Sequence, residues 1–190
     1  MKNVQYTIAK IIYKLKGNDK EVISKFFRKQ GMHIGKGCNI TCNISTPEPW
    51  LIHIGDNVAI AGSVAFITHD NSIMKIDKKT INLFGRIHIG DNCFIGRRAT
   101  IMYGVTLADN IIVAAGSLVT NSFSQSNIII GGVPARVIGT WEEFYKRNAP
   151  FAMGKREGRQ RALAGDDSKF IIKKDLCAKQ DETACNNACK

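Results

Sequence analysis

From Ile54 onward, aliphatic or aromatic side chains return every six positions, at Ile54, Ile60 and Phe66, and then without a break at Ile89, Ile95, Ile101, Leu107, Val113 and Val119. Self-similarity at a short fixed period is the mark of a repeat architecture. The next position is small, as at Gly55, Ala61, Gly90, Gly96, Ala108 and Ala114, while two positions earlier stand Val58, Val64, Cys93, Ala99, Val105 and Ile111. Because side chains alternate across a strand, each unit reads as a short strand with two inward side chains around one outward, followed by a turn. Asp56-Asn57, Asp91-Asn92 and Asp109-Asn110 recur in the turns, and these residue types suit left-handed backbone and side-chain-to-backbone hydrogen bonds. A unit this short cannot bury a core, so the units must stack into a solenoid.

Two interruptions stand out. Thr46-Pro47-Glu48-Pro49-Trp50 lengthens the first coil, and residues 72–86 leave it as a polar, lysine-bearing loop of a length that is often functional. Ahead of the repeats, Val4, Ile8, Ile11, Ile12 and Leu15, then Val22, Ile23, Phe26 and Phe27, fall at helical spacing with lysines between. Gly17-Asn18-Asp19 divides them into two basic amphipathic helices, with Asp19 available to cap the second. A further helix is expected over residues 140–147, with Thr140 as N-cap and Glu142 and Glu143 in its first turn. The expected organisation is a helical cap over residues 1–30, a coil over 31–139 with loop 72–86 extruded, a C-terminal helix within 140–154, and a mobile, basic, cysteine-bearing tail over 155–190.

The chain's 190 residues suit one domain. Its 27 Lys and Arg against 16 Asp and Glu, a net charge of +11, point to an anionic partner. No aromatic stacking pattern is interleaved with the basic residues, which sets nucleic acid aside. Lys10 and Lys14 break the N-terminal apolar stretch as no signal peptide would allow, and no run approaches the ~18 apolar residues of a membrane span. A cytoplasmic location is expected. For the basic helices, a cap packed over the main fold is the favoured reading, ahead of weak association with a membrane surface. Cys38, Cys42, Cys93, Cys177, Cys185 and Cys189 are expected as free thiols, without the spacing of a zinc site.

The run Ile89-Gly90-Asp91-Asn92-Cys93-Phe94-Ile95-Gly96, the step Gly104-Val105-Thr106, the segment Ala115-Gly116-Ser117-Leu118-Val119-Thr120 and the segment Gly132-Val133-Pro134-Ala135-Arg136-Val137-Ile138 together resemble the hexapeptide-repeat acyltransferases. Among these, the galactoside and maltose acetyltransferases and the sugar O-acetyltransferases of capsule and lipopolysaccharide synthesis are the relevant comparisons. The resemblance implies a mainly β fold, a left-handed parallel β-helix shaped as a triangular prism with short terminal helices, against the usual right-handed preference of crossovers. It implies a homotrimer with active sites between neighbouring prisms, acetyl-CoA along the groove parallel to the helical axis, and a carbohydrate acceptor. A fold alone does not establish catalysis, so the chemistry must come from particular residues.

Acetyl transfer to a hydroxyl needs a base for the alcohol proton, and imidazole, with a reference pKa of about 6.5, suits it. His33, His53 and His88 each precede an Ile-Gly coil start and should stack as an outward column. His69, in Ile67-Thr68-His69-Asp70 where the coil gives way to the long loop, matches the place from which the similar enzymes present their catalytic histidine. By the same resemblance the backbone N–H of Arg97 polarises the thioester carbonyl, an oxyanion contact worth about 3 kcal/mol. Phe94, Gly96, Ala115, Gly116, Thr120 and Arg136 match cofactor-contacting positions, with Arg136 suited to the CoA phosphates. Asn121 stands where a lysine is usual, and Arg97 or Arg98 could replace that charge. On the acceptor side stand Glu48, Trp50 and Asp70; Asp70 could also orient the imidazole, although adjacent side chains on a strand diverge.

The resulting expectation is an acetyl-CoA-dependent O-acetyltransferase acting on a sugar hydroxyl in surface-polysaccharide synthesis, by direct transfer and without a metal. N-acetylation of an amino sugar or antibiotic is the alternative on the same scaffold, and a non-catalytic trimeric scaffold is a third reading. A rival for the histidine column is a three-histidine metal site of the γ-type carbonic anhydrase kind, which shares the fold.

Overall fold

The computed structural model describes residues 2–79 and 81–172, and the chain divides into two compact units at the Glu143/Phe144 boundary. Within the first unit, helices α1 (Lys2–Leu15) and α2 (Glu21–Lys29) precede three parallel sheets. The first sheet holds β1 (His33–Ile34), β3 (Ile52–Ile54), β8 (Ile87–Ile89) and β11 (Thr106–Leu107). The second holds β2 (Asn39–Ile40), β4 (Ala59–Ile60), β9 (Phe94–Ile95), β12 (Ile111–Val113) and β14 (Ile128–Gly132). The third holds β5 (Ala65–Phe66), β10 (Thr100–Ile101) and β13 (Leu118–Val119). From β3 to β13 the chain visits the sheets in strict rotation, leaving it once for the antiparallel hairpin of β6 (His69–Asp70) and β7 (Leu83–Phe84). Strand β15 (Ala135–Thr140) folds back antiparallel on β14, with a register shift between Ile129 and Ile130.

The six-residue period is the core itself. Ile54, Ile60, Phe66, Ile89, Ile95, Ile101, Leu107, Val113 and Val119 are all at most 4% exposed, and each such side chain contributes roughly 1.5–3 kcal/mol by leaving water. Asn57, Asn92 and Asn110 take left-handed φ of 55°, 55° and 59°. The aspartates beside them make a ladder between coils: Asp56 Oδ1 accepts from Lys36 N at 2.7 Å, Asp91 Oδ1 from Asp56 N at 2.8 Å, and Asp109 Oδ1 from Asp91 N at 2.7 Å. A Cβ on Gly90 would stand 2.7 Å from the Asp109 amide nitrogen, so the small residue is demanded by the coil above.

Helix α2 buries Ile23 and Phe27 against the start of the coil, and Tyr6 of α1 packs on Phe26 and Phe27 at ring-centroid distances of 5.7 and 5.9 Å. Arg28 ties α2 to the first strand by donating from Nε to Ile34 O and from Nη2 to Gly35 O, both at 2.6 Å. Asp19 Oδ1 accepts the Glu21 N–H at 3.0 Å at the entry to α2. Burial pushes the Tyr6 phenol up to about 12.

Helix α3 (Trp141–Asn148) begins on a reciprocal cap, in which Thr140 Oγ1 accepts from Glu143 N at 3.2 Å and Glu143 Oε2 accepts from Thr140 N at 2.9 Å. Contrary to the expectation of a mobile tail from residue 155, Lys155–Ala164 forms helix α4. None of its residues is buried, so it carries no apolar period to read. It is held instead by the Glu157–Arg161 pair at 3.0 Å and by Gly165 at its C-cap with φ of 68°. Cys38, Cys42 and Cys93 are free and buried, whereas Cys177, Cys185 and Cys189 lie outside the described residues. Among the described residues, no helix is long and apolar enough to cross a membrane.

Candidate active site

His69 sits where the chain leaves the third sheet, on β6, paired with Phe84 of β7, whose ring centroid is 5.9 Å from the imidazole. Its Nδ1 lies 2.9 Å from Glu48 Oε2. A carboxylate only accepts, so Nδ1 is the donor, and in the neutral ring the lone pair then falls on Nε2. The side chains of His69 and Glu48 are 32% and 13% exposed, so the acid is enclosed while the imidazole opens outward.

Glu48 is held by two buried threonines in a closed circuit. Thr68 Oγ1 donates to Glu48 Oε2 at 2.6 Å, Thr46 Oγ1 donates to Thr68 Oγ1 at 2.7 Å, and Thr46 Oγ1 accepts the Glu48 N–H at 3.2 Å. The Thr68 hydroxyl, with a smaller contribution from His69, holds the Glu48 carboxyl below its usual range, so the acid is anionic at neutral pH. Glu48, expected on the acceptor side, is therefore the imidazole's partner. Asp70 is not: Oδ1 accepts from Ser72 N at 2.7 Å and Oδ2 from Tyr103 Oη at 3.4 Å, and the first of these chiefly lowers its pKa. The two threonines escaped the sequence reading, although the first coil step, His33 to His53, sets Thr68 over Glu48.

The remaining candidates divide between places. Arg97, Ala115 and Gly116 lie on the other side of the third sheet from His69, before its strands, with Gly116 N donating to Arg97 O at 2.8 Å. The Arg97 amide donates to none of the described residues. Gly96 is buried, and a Cβ there would stand 2.6 Å from both Ala115 N and Val113 O, so coil stacking by itself demands a glycine here. Phe94 is 45% exposed on the second sheet between Ala59 and Ile112. Thr120 follows the third sheet, on the same side as His69, and its hydroxyl donates to Asn121 Oδ1 at 3.0 Å. Arg136 is exposed on β15 beside Gly131.

Trp50 follows Glu48 by two positions. It is exposed, and lines a cavity of about 550 Å³ with Arg86, Thr106 and the three coil-start histidines. His33, His53 and His88 stack face to face at 3.9 and 4.3 Å with interplanar angles of 9° and 17°. Among the described residues no group of three or more His, Cys, Asp or Glu is arranged to hold a metal. Burial, and then the charges His33 and His88 would carry, push His53 below its ordinary value, against an opposing pull from Asp91. The native state thus binds fewer protons here than the unfolded chain. Stability from this position is full above the unfolded value of about 6.5 and is lost as pH falls below it. Thermal melts from neutral to mildly acid pH should show that decline, and His53→Asn should flatten it; an unchanged slope refutes the assignment.

Neither this cavity nor one between α1 and α2 has His69 in its lining, and the imidazole is 32% exposed.

The sequence pattern described as the hexapeptide repeat of succinyl-transferase matches residues 86–121. Protein CapG of Staphylococcus aureus is 43% identical over 122 residues, which cover 62% of this chain and 70% of CapG. Galactoside O-acetyltransferase of Escherichia coli K12 is 34% identical over 108 residues, 56% of this chain and about half, 53%, of that enzyme. A hexapeptide-repeat acetyltransferase from Vibrio cholerae, solved in complex with acetyl coenzyme A, superposes with a TM-score of 0.53 at 29% identity, covering 58% of this chain and 61% of that one. With its rotating short-stranded sheets and this degree of likeness to CapG, the chain belongs to the hexapeptide-repeat acyltransferase family.

Proposed function

We propose that the protein is an acetyl-CoA-dependent O-acetyltransferase that acts on a sugar hydroxyl in surface-polysaccharide synthesis. The observation that carries this reading is the Glu48–His69 pair, which fixes one tautomer and leaves Nε2 as a base. Acetyl-CoA supplies an activated acyl thioester. The acceptor hydroxyl loses its proton to Nε2 as its oxygen bonds to the acyl carbon, Nδ1 keeps its proton against Glu48, and Nε2 returns the proton to the thiolate as the carbon–sulfur bond breaks. The Arg97 amide faces the developing oxyanion. Phe94, Ala115, Gly116, Thr120 and Arg136 line the donor's path, while Asp70 and Trp50 stand toward the acceptor. On this reading residues 31–139 are the catalytic coil, left-handed as in the family, with residues 1–30 capping it.

Base and oxyanion donor lie on opposite sides of the third sheet, so they meet only across a boundary between chains. The outward side chains of that sheet, Ala65, Thr100 and Leu118, are small or apolar and suit such a boundary. The site is therefore shared within a homotrimer. Co-expression of His69→Ala and Ala115→Trp chains tests this: each alone is inactive, and mixed oligomers regain activity at interfaces that pair an intact histidine with an intact groove. Mixed oligomers as inactive as either parent variant would sink the shared site. Thiol release from acetyl-CoA with matched hydroxyl and amino sugars tests the acceptor class, with turnover expected on the hydroxyl.

A further inference from the structure

Helix α1 has two apolar faces, and among the described residues only one of them is packed against the core. Tyr6, Ala9 and Tyr13 pack inward with the core. Val4, Ile8, Ile11 and Leu15, spaced to fall in one line along the helix, are 63%, 51%, 53% and 81% exposed. Beside that line run Lys10 and Lys14. Between α1 and α2 opens a groove of about 540 Å³ with walls of Ile8, Ala9, Ile12, Val22 and Phe26 and a rim of Lys16, Lys25 and Lys29. The first thirty residues carry eight Lys and Arg against only Asp19 and Glu21, and Glu21 is taken up by Arg28.

We infer that α1 and α2 form a docking surface for an anionic phospholipid membrane, with the Val4–Ile8–Ile11–Leu15 line seated at the acyl boundary and the lysines on the phosphates. An amphipathic helix with lysines flanking an apolar stripe binds an interface through both terms together. Charge selects this occupant. A second copy of the same surface, related by a twofold axis, would set lysine against lysine, and the first thirty residues offer no acidic patch to receive it. A nucleic acid would meet the charge and leave the apolar line in water. The surface requires nothing of the acetyl-transfer chemistry, and its failure and that of the proposed activity read out separately.

The test is sedimentation of the full chain with vesicles of phosphatidylcholine alone and of phosphatidylcholine with phosphatidylglycerol in equal parts. Binding is expected only to the second, falling steeply in about 1 M salt, where the screening length is about 3 Å. The double variant Ile11→Glu, Leu15→Glu should bind at least tenfold more weakly. Each of Lys14→Gln and Lys25→Gln should cost about fivefold. Melting temperature, oligomer mass and turnover of a soluble acceptor should all stay at parental values, since these side chains are exposed. Equal binding to both vesicle types, or unchanged binding by the double variant, overturns the inference. A change of oligomer mass in that variant does so too, by marking the stripe as a contact between copies.

Discussion

His69→Ala lowers kcat for acetyl transfer by about 10³-fold, the scale of a general base removed from a reaction that proceeds through no other proton acceptor. On the proposed reading KM for acetyl-CoA changes little, because His69 contacts the acceptor hydroxyl, while Arg97 and Ala115, proposed for the donor's path, lie across the third sheet from it. The melting temperature also stays close to the parent's, since the imidazole is 32% exposed and Glu48 keeps its hydrogen bond from Thr68. Steady-state thiol release, read with a thermal melt of the same preparation, checks all three. A variant that transfers acyl groups at the parental rate removes His69 from the mechanism, whatever the fold.

Glu48→Gln is the second large effect, at between about 10²- and 10³-fold in kcat. Glu48 is a positioning residue: it acts through His69 by keeping the proton on Nδ1. An amide in its place offers an NH₂ donor to the same nitrogen and admits the wrong tautomer. Glu48→Asp, which keeps the charge with a shorter reach, should recover part of the loss. The supporting threonine gives a signature that a merely structural role would not. Thr68 is the largest cause of the lowered Glu48 pKa, so the anion, present above that pKa, is lost only as pH falls through it. Thr68→Val therefore raises the Glu48 pKa toward its ordinary carboxylate value, as read by NMR titration of that carboxyl, and a titration that does not move contradicts the circuit. The same variant also removes the Thr46–Thr68 hydroxyl hydrogen bond, at a cost of about 0.5–1.5 kcal/mol in stability.

Much of this molecule can be read without coordinates, because its information is local and repeats. Strand alternation and a six-residue period put Ile95, Ile101 and Leu107 inside, the Asp-Asn pairs meet the left-handed turns, and Thr140 and Glu143 cap α3 within four residues. The histidine column follows from the same periodicity, since equal coil starts must stack. The pairing of Glu48 with His69 is of another kind. It joins the lengthened first coil to the start of the extruded loop, and depends on how a proline-bounded turn sets one coil over the next. That same long-range placement tied Asp70 to Tyr103, set Trp50 beside the histidine column, and packed Gly96 under Val113 and Ala115 of the next coil. It also set His69 and the Arg97 amide on opposite sides of one sheet. Local preferences and a short period determine the coil, and residues far apart in the chain become a catalytic pair only when the coils are stacked, because hydrogen bonds form across space and the repeat pattern encodes only steps along the chain.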